Sequence, residues 1–478
     1  MKKISRVLPL LIFAGLALLC AASGEAQTPA LVYSNSLAAP GEPGNGFRIQ
    51  YGGSMGTGSL AGNLVTLRIT APHGSTVSSI TDNLSDTYTL GVSVDSGGGG
   101  WVTALYYLAN APAGIKQITV TYSGSVADWH GAVQEYSGVA PSSPVDGKCS
   151  NSSTTIACST PITTTGTNDL VVASMIGLGG SIYTNALSTV APGANFIFDS
   201  ADTRCSDADE EMIQAAPGSV TPSFTVSGSS EPFNIVAIAF KSAAAGTNPT
   251  GMHIVHEQHE QVTNVGSQNI YFVSGGNLLV AALEVGVTMN SVSIGGCTPS
   301  NTWTSNTQGS LYPQFFYLTS AANFSTNLHC TVTDSAPGNH AILVIYDIVG
   351  AAASPLDTAG PAGAGNGATV TSAVTPANQP GIAFSAENTG IGPNSGIGTG
   401  FIWDNTPYQG ETDSGQLNNG DGWQHYFYNS TAQITFTWDQ ADTASYMQTS
   451  AIAFDADPSA STRPNPPTGL KAAVQSVP

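Results

Sequence analysis

With 31 acidic and 11 basic side chains, the 478-residue chain carries a formal charge of −20, which repels phosphate backbones and anionic lipid and excludes nucleic acid as an expected partner. Its 41% hydrophobic and 9% charged content is not the balance of a disordered chain, which joins low hydrophobicity to high net charge. The 54 glycines and the length suit a turn-rich protein of two to four domains.

The chain opens with Lys2, Lys3 and Arg6, then an apolar run from Leu8 to Leu19, then Gly24-Glu25-Ala26 with small residues at the −3 and −1 positions of a cleavage site. Residues 1–26 are therefore expected to be a secretory signal, because the run is short for a bilayer span of about 20 residues. No later stretch is long and apolar enough to cross, so no transmembrane span is expected after cleavage. The mature chain is expected outside the cell or on its surface.

From residue 27 the pattern is that of short strands between turns. Leu64 to Ile69 alternates, with Leu64, Thr66 and Arg68 on one face and Val65, Leu67 and Ile69 on the other. Asp82-Asn83 and Ser85-Asp86 are turn formers, and Gly97 to Gly100 is a four-glycine turn. Strands are expected at Val102 to Leu108, Ile118 to Tyr122, Ala132 to Tyr136, Leu170 to Ala173 and Ile235 to Phe240. Ser159 to Thr165 alternates like a strand, which favours one large double-sheet sandwich per unit over two immunoglobulin-sized ones. Ser242 to Gly251 reads as a linker. Beyond it, strands are expected at Leu278 to Val285, Gln314 to Leu318, Ala341 to Tyr346, Gly381 to Ala386 and Ile434 to Trp438.

The second part repeats the first. Phe196-Ile197-Phe198-Asp199 returns as Phe401-Ile402-Trp403-Asp404, and Ala237-Ile238-Ala239-Phe240 as Ala451-Ile452-Ala453-Phe454. Asn63-Leu64-Val65 returns as Asn277-Leu278-Leu279, and Ser143-Pro144-Val145-Asp146 as Ser354-Pro355-Leu356-Asp357. Several matches in one order at nearly one spacing mark an internal duplication. The expected fold is all-β: two tandem antiparallel sandwiches of jelly-roll or Ig-like type, 27–241 and 252–457, joined by the linker 242–251 and followed by a Pro-rich tail, 458–478.

Five cysteines follow the signal. Outside the cytoplasm disulfides persist, and the preferred pairs are Cys149–Cys158 and Cys297–Cys330, leaving Cys205 over. Their spacings match no zinc pattern.

Three places invite a functional reading. Asp199, Asp202, Asp207 and Asp209, with Glu210 and Glu211, form the densest acidic cluster. Hard oxygen ligands of this kind suit calcium, although the EF-hand spacing is missing and a solvated acidic loop is the plainer reading. Two carboxylates could also serve glycoside hydrolysis. His253, His256 and His259, interleaved with Glu257 and Glu260, would be split between two faces of a strand, which argues for a polar edge strand over a metal site. Gly415 to Tyr428 gathers Asn419, Asp421, Trp423 and Tyr426, whose rings and polar groups suit a sugar. The alternative is that Trp423 and the tyrosines pack into the core. Other than calcium at the acidic cluster, no cofactor is expected.

Gln134-Glu135-Tyr136-Ser137-Gly138-Val139, Ser143-Pro144-Val145-Asp146 and Asp169-Leu170-Val171-Val172 resemble a β-rich repeat of bacterial exported and cell-surface proteins. The second unit departs from it, with Tyr346-Asp347-Ile348-Val349-Gly350 in place of the Glu-Tyr-Ser-Gly phrase. Pro464 to Ala472 resembles the opening strand of a fibronectin type III module. The likeness implies export and a modular layout, and it carries over no catalytic residue. The expected role is non-catalytic: adhesion or polysaccharide binding at a cell surface. The alternatives are a polysaccharide-degrading enzyme and a structural component of a surface layer or filament.

Overall fold

The computed structural model describes residues 28–39, 44–50, 58–177, 190–202, 207–226, 232–243, 251–263, 267–272, 276–285, 292–298, 302–306, 314–319, 328–334, 340–361, 363–366, 369–389, 402–403, 422–439 and 446–457. The expected signal and tail lie outside them. Among these residues regular structure is all strand, and no helix is long and apolar enough to cross a membrane.

The first unit supplies β1 (Ala30–Ala39), β2 (Gly44–Gln50), β3 (Leu64–Pro72), β4 (Val77–Asp82), β5 (Thr89–Asp95), β6 (Trp101–Leu108), β7 (Gln117–Val126) and β8 (Trp129–Ser137). It continues with β9 (Val145–Ser153), β10 (Ile162–Thr164), β11 (Asp169–Gly177), β12 (Val190–Ala191), β13 (Ile197–Asp202), β14 (Asp207–Gln214), β15 (Gly218–Val220), β16 (Thr225–Val226) and β17 (Phe233–Phe240). The second unit runs through β18 (His253–Thr263), β19 (Ser267–Phe272), β20 (Leu278–Val285), β21 (Val292–Thr298), β22 (Thr304–Asn306), β23 (Gln314–Thr319), β24 (Leu328–Asp334) and β25 (His340–Val349). It ends with β26 (Ala351–Ala359), β27 (Gly363–Asn366), β28 (Thr369–Val374), β29 (Gly381–Thr389), β30 (Ile402–Trp403), β31 (Gly422–Tyr428), β32 (Ile434–Asp439) and β33 (Tyr446–Ala456).

A ten-stranded sheet, β22-β23-β20-β25-β18-β1-β8-β3-β6-β5, runs through both units. Its seam is the parallel pair β1–β18, with Ser34 opposite His256 and Ser36 opposite Gln258. Read outward from the seam, β1-β8-β3-β6-β5 recurs as β18-β25-β20-β23-β22. The likeness extends to irregularities. β1 bulges between Leu31 and Tyr33 against β8, and β18 bulges between Ile254 and His256 against β25. β8 and β25 are each followed by a glycine at positive φ, Gly138 and Gly350, where a β-carbon would be strained. β18 is thus an interior strand with a partner on each side, not the polar edge expected from its histidines. The bulge, which adds a residue on one side of the ladder, also breaks the simple alternation of its faces.

Because equivalent strands meet in parallel, the second unit is turned over relative to the first. Val65, Leu67 and Ile69 therefore share one apolar cluster with Leu278, Val280 and Ala282, although the counterpart of Leu278 is Leu64. Within the first unit β2-β7-β4 covers one face of the shared sheet, and β13-β14-β11-β17-β9 covers the other. The latter sheet carries the short ladders β10-β15 and β12-β16 on its far side. In the second unit β19-β24-β21 and β26-β33-β29-β31-β30 take the two covering places, and β28-β32 lies outermost. Each unit is therefore layered four deep, unlike a single double-sheet sandwich. A second sheet covers the alternating polar residues of β3, and Thr66, Arg68 and Thr70 are all buried.

Candidate functional site

The polar face of β3 meets β14 in the first unit. Alternation along β14 points Asp207, Asp209 and Glu211 one way and Ala208, Glu210 and Met212 the other. The second set enters the outer core, where Ala208 and Met212 join Phe196 and Phe198. The first set faces β3, β8 and β1. Arg68 Nε and Nη2 donate to the two oxygens of Asp209 at 2.9 and 3.2 Å, and Nη1 donates to Asp207 at 2.9 Å. The Arg68 and Asp209 side chains are fully buried, and Asp207 is 2% exposed. Ser174, opposite Asp209 in the β11–β14 ladder, donates to it at 2.6 Å. Burial works against the Arg68 charge, but Asp207 and Asp209 outweigh it and raise the guanidinium above its usual value. Burial likewise pushes the Asp207 carboxyl up, yet Arg68 and His130 hold it below the usual carboxylate range. A bidentate guanidinium is the geometry that makes such a buried pair tolerable.

Asp199 is the bulged residue of β13, between Phe198 and Ser200 in the ladder to β14. The bulge re-aims its side chain toward the Tyr136 hydroxyl, which donates to it at 2.6 Å. Burial, with Asp199 and Glu211 nearby, holds the Tyr136 phenol well above its ordinary value. Ser34 of β1 donates to the Asp199 carbonyl at 2.8 Å. The acidic cluster is therefore a junction between stacked sheets and not a solvated loop. Asp202 is paired with Asp207 in the backbone ladder, and its side chain lies outside the described residues. Glu210, on the other face, accepts from Gly193 N at 2.8 Å, and burial pushes its carboxyl well up. Among the described residues no three His, Cys, Asp or Glu side chains converge as metal ligands would.

The same junction in the second unit is built of different chemistry. By ladder register Arg68 corresponds to Ala282, and Asp209 opposite Ser174 corresponds to Trp423 opposite Ala386. Trp423, expected in a ligand loop, is part of β31 and 2% exposed, in a cluster with Ala282, Phe384 and Tyr346. Tyr426 is half-buried against Phe436 and its neighbours. Asn419 and Asp421 lie outside the described residues. The Tyr346 and Phe384 rings meet tilted, with centroids 4.6 Å apart.

Other acids hold loops. Glu135 accepts from Leu60 N and Asn63 Nδ2, both at 2.7 Å, and its counterpart Asp347 accepts from Gly276 N at 2.9 Å and contacts His256 at 2.7 Å. The repeated Ser-Pro-x-Asp phrase has one use in both units. Asp146 takes the amide and hydroxyl of Thr165, and Asp357 takes the amides of Ala377 and Asn378 at 2.9 and 3.1 Å. Across the seam the Tyr33 hydroxyl donates to Glu257 at 3.1 Å. Disulfides join Cys149 to Cys158 and Cys297 to Cys330, the pairs preferred from spacing. Cys205 lies outside the described residues.

Arg68, His130 and Tyr136 were not among the candidates read from sequence. The available signal was a single charged residue, Arg68, in a strand otherwise made of Leu, Val, Thr, Ile, Ala and Pro. No protein-family model matches the chain, no curated protein matches it, and no solved structure matches it. The resemblance to a repeat of exported proteins thus rests on the quoted phrases alone.

Proposed function

We propose that the chain is an exported, non-catalytic protein that works by adhesion or polysaccharide binding at a cell surface. One observation supports this most: Asp199, Asp207 and Asp209 of the densest acidic cluster spend their carboxylates inside the molecule, on Arg68, His130, Tyr136 and Ser174. A carboxylate engaged in this way between two sheets holds layers together, whereas acid–base work on a sugar needs it open to the glycosidic bond. Binding then falls to the displayed surface, because, of the two described sugar-binding candidates, Trp423 is in the core and Tyr426 is only half-buried. Retention of the full chain on a polysaccharide panel, without release of reducing sugar, is the expected result. Reducing sugar released by the wild type and lost in Asp199→Ala or Glu211→Ala would overturn it in favour of an enzyme. The unbroken ten-stranded sheet favours, as a second reading, a structural role in a surface layer or filament. Concentration-dependent assembly seen by electron microscopy, with no retention on any glycan, would select it.

A further inference from the structure

The junction of the first unit contains a histidine as well as Arg68. His130 Nδ1 lies 2.9 Å from Asp207 Oδ2, and Nε2 lies 3.4 Å from Asp128 Oδ1, with the His130 side chain fully buried. The first contact is a hydrogen bond, and the second is a charge contact without hydrogen-bond alignment. A neutral imidazole carries one N–H and can donate on one side only, whereas the doubly protonated ring donates on both. The charge count points the same way. Asp128, Asp207 and Asp209 face one guanidinium, so a charged ring brings the buried group closer to balance. The other titratable side chains facing this junction among the described residues are Tyr136 of β8, Asp199 of β13 and Glu211 of β14, and none is a cation. β6, β11 and β17 contribute the neutral Trp101, Thr103, Ser174 and Asn234. In the second unit Ile342 takes the register position of His130.

We infer that His130 is a proton-operated clamp: doubly protonated, it holds Asp128 on one side and Asp207 of β14 on the other, and its deprotonation as pH rises loosens the outer sheet of the first unit while leaving the second unit unchanged. The sign is that of a cation with partners gained on folding. The stabilisation is complete while the ring is charged and is lost as the pH passes its titration.

Hydrogen exchange read by mass spectrometry on the full chain, from about pH 5 to about pH 8 around the ordinary imidazole value, tests this once rates are corrected for intrinsic exchange. Protection of residues 129–137 and 207–214 is expected to fall about tenfold over that range, the factor for one pH unit of linkage, while 340–349 and 422–428 show no more than the slight fall that Asp455 brings near pH 6. In His130→Gln the first-unit segments are expected to be less protected and pH-independent. Asp128→Asn, at the rim of the junction, keeps the ring and moves the transition to lower pH by about one unit. His73→Asn, at an exposed pair with Asp95, leaves it in place. A level profile in the wild type overturns the clamp, as does the same pH dependence in His130→Gln. If His130→Gln does not fold, an unmoved transition in Asp128→Asn overturns it.

Discussion

The two units stack the same strands in the same order, yet fill one junction with opposite chemistry. In the first unit a large cation on the shared sheet meets small acids on the covering sheet: Arg68 with Asp207 and Asp209. In the second a small Ala282 shares its cluster with a large Trp423. Thr66 bonded to Gln134 at 2.7 Å has Val280 and Tyr346 as its counterparts, both in the apolar cluster. Bulk is traded between the facing sheets, and the space stays filled. The strand order therefore does not depend on the ion pairs. What it depends on is the buried alternate face and closely packed volume, which apolar and paired polar groups both supply.

This contrast can be broken at either end, and the largest effects are expected at the junction itself. Arg68→Ala leaves two carboxylates buried without their cation and is expected to cost about 3–5 kcal/mol. Trp423→Ala removes a packed indole and is expected to cost a similar amount, about 3–5 kcal/mol. Calorimetric or denaturant unfolding measures both. The mechanisms are separated by a further change. Adding Asp207→Asn and Asp209→Asn to Arg68→Ala is expected to recover part of the loss, because the stranded charges go. No polar substitution near Trp423 is expected to do so.

Next in size are the disulfides, one in each unit. From sequence separations of 33 and 9 residues, the chain-entropy estimate is about 4 kcal/mol for Cys297–Cys330 and about 3 kcal/mol for Cys149–Cys158. Paired Cys→Ser variants should rank in that order. The smallest effect is a pH dependence confined to the second unit. Phe240-Lys241 corresponds to Phe454-Asp455, so Lys241 stands 3.8 Å from Asp146 where Asp455 faces Asp357. Burial, and the neighbouring Asp357, push the Asp455 carboxyl up to about 6. A raised carboxyl stabilises the folded state below its unfolded value near 4, and that contribution is lost as pH rises through about 6. Stability should therefore fall slightly over that window, and Asp455→Lys should flatten it.

Much of the fold was legible in the sequence. The Ala-Ile-Ala-Phe copies mark β17 and β33, which take matching places beside β11 and β29. The faces of β3 were read correctly from alternation, and the cysteine pairs from spacing. The layering was not legible, because a strand with one polar face looks the same whether water or a polar sheet covers it. Arg68 and Asp207 are 139 residues apart in sequence, and nothing local announces that they meet. Trp423, left open between a ligand loop and the core, is in the core. Aromatics in a strand beside polar neighbours suit a groove or a core equally, and only the cluster that Trp423 shares with Ala282 and Phe384 shows where the indole packs.

A double-mutant cycle on Arg68→Ala and Asp209→Ala in the full chain tests most directly whether the acidic cluster is an internal fastening. A coupling energy of about 2–3 kcal/mol in urea unfolding is predicted for residues in one buried network. Additive single effects, with coupling within about 0.5 kcal/mol of zero, would contradict it.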